Sequence, residues 1–98
     1  MKCTDLSKAA LLEQVAEECT ELGHAALKLA RKYRNENPTP VTEEEEAYAN
    51  LKEEWADMLL SMTVLDHYYN MDCNELKGIM DNKYARWNQR LEDAAHEN

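Results

Sequence analysis

The chain is 98 residues long, enough for one small domain (residues 1–98) and too short for two. Its 20 acidic residues against 11 Lys and Arg give a formal net charge of -9, which argues against a phosphate-gripping nucleic-acid interface and against an anionic membrane surface. Two glycines, two prolines, no phenylalanine and much Ala, Leu, Glu, Lys and Met set the intrinsic preference at helix.

A chain this small buries a modest core, so completion by a partner subunit is expected. Cys3, Cys19 and Cys73 are odd in number and show no zinc spacing. Cys19 falls on an apolar helical stripe and is expected to act as a small buried hydrophobe. With neither a signal-peptide pattern nor a membrane-length apolar run, a cytoplasmic protein is expected.

In chain order, Thr4 or Asp5 is placed to cap a first helix. Leu12, Val15, Cys19, Leu22, Ala26, Leu29 and Tyr33 then recur at three- and four-residue steps, the pattern of a buried helical stripe. Gly23 interrupts it, permitting a close helix approach or a bend. Asn35-Glu36-Asn37-Pro38-Thr39-Pro40 breaks the helix, because two prolines cannot continue it. Thr42 with Glu45 three residues on has the form of a capping box, and the run Glu43 to Glu46 suits the positive end of a helix better than a ligand cluster. Leu51, Trp55, Met58, Met62, Leu65 and Tyr69 mark a second helix, widened by Leu59. Asp72 or Asn74 caps a third, with the weaker stripe Leu76, Ile79, Met80, Lys83, Trp87 and Leu91 and a fraying end from Ala94. No strand-like alternation or repeat appears. The expected fold is all-α: three long helices per chain packed as a bundle, completed by homodimerisation into a four-helix or larger bundle.

Two acidic motifs stand out. Glu17-Glu18-Cys19-Thr20-Glu21 sets three carboxylates within five residues of the first helix, and Glu54-Trp55-Ala56-Asp57 sets two at i,i+3 on the second. Each lies at the edge of an apolar seam, so the two can meet where the helices pack. Like charges so close repel unless a cation lies between them, and clustered oxygens suit a hard divalent ion such as Mg2+ or Mn2+. On the third helix Lys83, Arg86 and Arg90 recur at i, i+3, i+7 on one face, a disposition able to grip phosphate oxygens.

Taken together, E-E-x-x-E, E-x-x-D and the basic third helix resemble the MazG-like nucleotide pyrophosphohydrolases of the all-α NTP pyrophosphatase superfamily, over about Leu12 to Arg90. The separation of the motifs, 32 residues from Leu22 to Glu53, is long for that family, the extra length falling in the Pro-containing loop where insertions cost little. The resemblance implies hydrolysis of a nucleoside triphosphate to the monophosphate and pyrophosphate. It implies Mg2+, with Mn2+ as substitute, on Glu17, Glu18, Glu21, Glu54 and Asp57. Glu17 would be the general base, Lys83, Arg86 and Arg90 would neutralise the departing pyrophosphate, and Trp87, Trp55 or Tyr84 would stack on the base, the alternative and commoner role for such aromatics being buried core. A homodimer or tetramer is expected separately, from the apolar surface that three such helices leave over.

Phosphoribosyl-ATP pyrophosphohydrolases share the metal motifs and stand as the near alternative. From another class comes a non-catalytic helical dimer using its Met-rich face as an interaction module. A carboxylate-bridged di-iron site is suggested by Glu21-Leu22-Gly23-His24 but needs a second E-x-x-H, which His67 and His96 do not supply on a sound element.

Overall fold

The structure, a computed structural model, describes residues 1–35 and 41–97, and for Val41 and Thr42 the backbone only. Most of the expected break, from Glu36 to Pro40, lies outside the described residues. The described chain is all-helical: a short 3-10 turn Cys3–Asp5, then α1 (Lys8–Tyr33), α2 (Val41–Tyr69) and α3 (Cys73–His96). α1 and α2 pair as a long hairpin.

Ser7, rather than Thr4 or Asp5, caps α1: its hydroxyl accepts from the Ala10 N–H at 3.1 Å. Asp5 instead closes the preceding turn, accepting from the Lys2 N–H at 2.8 Å. Both expected caps sit one turn early, because the 3-10 turn separates them from the helix. Ser7→Ala is expected to lower stability by about 1 kcal/mol, read as a fall in the denaturant midpoint. α2 starts at Val41, ahead of Thr42, so Thr42 is a helical residue and not the cap. The acidic first turn serves locally, Glu43 meeting Lys32 of α1 at 3.5 Å. Asp72 caps α3, its Oδ1 accepting from the Asn74 and Glu75 N–H groups at 2.9 and 3.3 Å. α3 continues through His96, past the expected fraying point.

The seam between α1 and α2 keeps Val15, Leu22 and Leu29 and Leu51, Met58 and Leu65 of the expected stripes and is displaced by one residue at the positions between them. Leu11, Ala25 and Leu29 are buried and Val15, Glu18, Leu22 and Lys32 half-buried, whereas Leu12, Cys19, Ala26 and Tyr33 are exposed. On α2 the same holds: Ala47 and Ser61 are buried, Leu51, Glu54, Met58 and Leu65 half-buried, and Trp55, Leu59, Met62 and Tyr69 exposed. Ala25 and Ala47, among the most buried residues of the two helices, are small. On both helices the apolar face is wider than the seam, and its outer members Leu12, Trp55, Leu59 and Met62 are left exposed within the chain. Cys19 therefore has no buried role here; all three cysteines are free and exposed. Gly23 lies on the open side, where a Cβ would meet nothing within 4 Å, so no close approach explains it in the single chain.

The open end of the hairpin is tied by Tyr68, whose hydroxyl donates to the Leu6 carbonyl at 2.6 Å while Lys8 lies 5.7 and 5.4 Å from the Tyr68 and Tyr69 ring centres. Beyond it the chain turns on hydrogen bonds. Asn70 takes a left-handed conformation (φ 48°), and Asp66 accepts twice at 2.7 Å, through its carbonyl from Asn70 N–H and through Oδ1 from Met71 N–H. These bonds and the Asp72 cap set the direction of α3, which departs from the hairpin: every residue of α3 is exposed. The expected three-helix bundle is thus a two-helix hairpin with a projecting third helix. The radius of gyration is 17.8 Å, against about 13 Å for a compact chain of this length. The accessible surface is 8186 Å², about 2,400 Å² more than a compact monomer of this mass exposes. No helix among the described residues is long and apolar enough to cross a membrane.

Candidate metal centre

The displaced seam changes the standing of two carboxylates. Glu18 and Glu54 are not at the seam's edge but in it, at positions where α1 and α2 would otherwise present apolar side chains. Glu21, one turn after Glu18, joins them from the exposed side. One carboxylate oxygen from each of Glu18, Glu21 and Glu54 lies within 4.8 Å of the others. The Oε2 atoms of Glu18 and Glu54 are buried and have no hydrogen-bond partner. Burying a charged oxygen without a donor is costly, so this pair is an arrangement that water-like packing alone does not favour.

Asp57 stands outside that triad but beside Glu18, close enough to act on its charge and lining the same cleft of about 280 Å³. The cleft's remaining walls include Leu6, Leu11, Leu60 and Val64, so it joins an apolar surface to an acidic end. Gln14 is a member of the site that motif reading missed; its Nε2 donates to Glu18 Oε1 at 2.7 Å and fixes that side chain. Its i,i+4 spacing to Glu18 was the signal available in the sequence.

Burial of the Glu18 carboxylate raises its pKa above the ordinary glutamate range, and the charges of Glu21 and Asp57 push it the same way. The Gln14 hydrogen bond opposes this, and Glu17 adds a smaller upward push. The folded, metal-free protein therefore holds the Glu18 proton more tightly than the unfolded chain does. Stability from this group is greatest at low pH and is lost as pH rises through the raised pKa. In EDTA, the melting temperature is expected to fall as pH rises from the range where a free glutamate ionises, about 4, through the raised pKa, and Glu18→Gln to flatten that slope. An unchanged slope in the variant would remove Glu18 as the cause.

The other expected site residues are placed differently. Glu17 is exposed and lines a shallow surface on α1 with Glu13, Thr20, Glu21 and His24; it adjoins the cluster through Glu21 but does not enter it. Trp55 borders a separate groove with Tyr48, Leu51 and Leu59. Lys83, Arg86, Arg90 and Trp87 are exposed along α3, so the single chain does not bring them to the carboxylates. The ion pairs among the described residues lie elsewhere, at Lys32–Glu43 and Lys77–Asp81. No His or Cys shares the cluster among the described residues, which leaves the di-iron pattern without its histidines.

Comparison of the chain with protein-family models, with curated proteins and with solved structures gives no match in any of the three. The chemistry of the site rests on its own residues. An all-oxygen donor set at the junction of two helices, with two buried oxygens lacking donors, suits a hard cation; it lacks the nitrogen or sulfur that zinc sites draw on.

Proposed function

We propose that this protein is a Mg2+-dependent nucleoside triphosphate pyrophosphohydrolase, converting NTP or dNTP and water into the monophosphate and pyrophosphate. The observation that carries the reading is the convergence of Glu18, Glu21 and Glu54 with two donorless buried oxygens. Asp57 beside Glu18 and the motif resemblance add to it.

The residues fit the group they would hold. Glu18, Glu21, Glu54 and Asp57 would supply carboxylate oxygens to one or more Mg2+ ions, with Mn2+ as a substitute. When bound, the cation supplies charge neutralisation for the triphosphate and a more acidic water. Gln14 orients Glu18 for that task through its hydrogen bond. The apolar walls at Leu60 and Val64 would take the base or sugar side of the nucleotide, leaving the phosphates at the acidic end. In the reaction a water oxygen bonds to the α-phosphorus, the bond from that phosphorus to the bridging oxygen breaks, and pyrophosphate leaves with its electron pair. Glu17, at the border of the cluster and unneeded for the triad, would accept the water's proton. Lys83, Arg86 and Arg90 would neutralise the leaving group. The reading includes a homo-oligomer, working on nucleotides in the cytoplasm.

The test is pyrophosphate release from a panel of NTPs, dNTPs and phosphoribosyl-ATP, with Mg2+, Mn2+ or EDTA. Metal-dependent release is expected, with one base preferred. Release from phosphoribosyl-ATP alone would transfer the assignment to that neighbouring activity. Silence across the panel would favour the interaction module, a reading to which the exposed apolar residues of α3 lend weight.

A further inference from the structure

One wall of the cleft comes from outside the α1–α2 hairpin. Cys3 and Leu6, in and just after the 3-10 turn Cys3–Asp5, line it together with Glu18, Asp57, Leu60 and Val64. The turn is closed on itself. Asp5 Oδ2 accepts from the Lys2 N–H at 2.8 Å, the Asp5 N–H donates to the Lys2 carbonyl at 2.9 Å, and the Leu6 N–H donates to the Cys3 carbonyl at 3.2 Å. Residues 2–6 therefore stay or move as a unit. Among the described residues one hydrogen bond joins that unit to the hairpin, from the Tyr68 hydroxyl to the Leu6 carbonyl at 2.6 Å.

The place of Tyr68 on α2 links that bond to the site. Asp57, Ser61, Val64 and Tyr68 recur at steps of four, three and four residues, so they form one row along the helix. The first three line the cleft, and Tyr68 stands one turn beyond it. Lys8, 5.7 Å from the Tyr68 ring centre, steadies the ring from the α1 side. A chain terminus with no such tie opens readily. We propose that Tyr68 is a positioning residue for the cleft: its hydroxyl clasps the N-terminal turn, so that Cys3 and Leu6 stand as a wall before any ligand arrives. Where a wall is in place only part of the time, apparent affinity falls in proportion to that fraction. Tyr68 lies outside both the cleft and the acid cluster, so the clasp acts on the ligand and leaves the cation alone. That the ligand is a nucleotide rests on the hydrolase reading; the clasp itself does not.

Tyr68→Phe removes the hydroxyl and keeps the ring beside Lys8. Tyr69→Phe is the control, because the Tyr69 ring also faces Lys8, at 5.4 Å, and its loss of a hydroxyl leaves the Leu6 bond in place. Cys19→Ser and Cys73→Ser leave Cys3 as the one thiol of the full chain, and a nitroxide is attached there. Restricted nitroxide motion is expected in that chain and in its Tyr69→Phe form, and clearly faster motion in Tyr68→Phe. Equal spectra in the two variants overturn the clasp. In unlabelled chains with saturating Mg2+, KM for the most rapidly cleaved nucleoside triphosphate is expected to rise about tenfold in Tyr68→Phe, the fold-change that one hydrogen bond is worth. Turnover at saturation and the Mg2+-induced rise in melting temperature should both be kept. An unchanged KM, or a loss confined to kcat, overturns the role in the site. A chain that releases no pyrophosphate yet shows the Tyr68-dependent spectrum keeps the clasp and discards the nucleotide. One that hydrolyses with the same KM in both variants does the reverse.

Discussion

Glu18→Gln is expected to reduce pyrophosphate release by about three orders of magnitude while the protein stays folded. The carboxylate lies at the centre of the cluster, with one oxygen held by Gln14 and the other buried without a donor. An amide in its place keeps the shape, removes the charge a cation would meet, and lowers repulsion toward Glu21 and Asp57. Activity should therefore fall while metal-free stability holds or rises, opposite signs that a merely structural glutamate would not give. Asp57→Asn is expected to act in the same direction. Glu17→Gln should separate from both: lying outside the triad, it should leave metal affinity near the wild-type value and lower turnover. Retained full turnover in Glu18→Gln, or unfolding of it, would count against the site.

Saturating Mg2+ is expected to raise the melting temperature by roughly 10–20 °C over the protein in EDTA. At a hundred times the dissociation constant, a cation bound only by the folded state adds about 2.7 kcal/mol. For a domain of this size each kcal/mol moves the midpoint by about 4–8 °C. The lever is large because the metal-free fold sets Glu18, Glu21 and Glu54 together, none of them within an ion pair to a Lys or Arg of the described residues. Glu54→Gln should lose most of the shift. A helical adaptor predicts none, so differential scanning fluorimetry separates the classes before any substrate is known.

The helices were legible because caps and breakers act locally. Asp72 was readable as a cap from its own neighbourhood, whereas Ser7 was passed over because Thr4 and Asp5 form an equally good local signal one turn earlier. The choice between Leu11 and Leu12 as the buried residue was not legible: each begins an apolar stripe with helical spacing, and periodicity cannot say which one a neighbour will cover. That single-step ambiguity put Glu18 and Glu54 at the seam's edge when they lie within it. Nor could spacing show that α3 leaves the hairpin, since its direction is decided by a corner of three residues, Asn70 in a left-handed conformation among them. The candidate acids were readable as motifs. Their meeting depended on the pairing of α1 with α2.

The projecting α3 also bears on how the chain reaches its final form. A hairpin of two sequential helices closes through contacts near in sequence, a topology that folds fast and needs one molecule. α3 receives no tertiary support from that step, and a helix of 24 residues alone in water is held by its cap and its propensities, with ends that open readily. A protease should therefore cut within residues 73–96 before it cuts within α1 or α2. Closing of the hairpin and ordering of α3 would then be separate events, the second gaining nothing from the first.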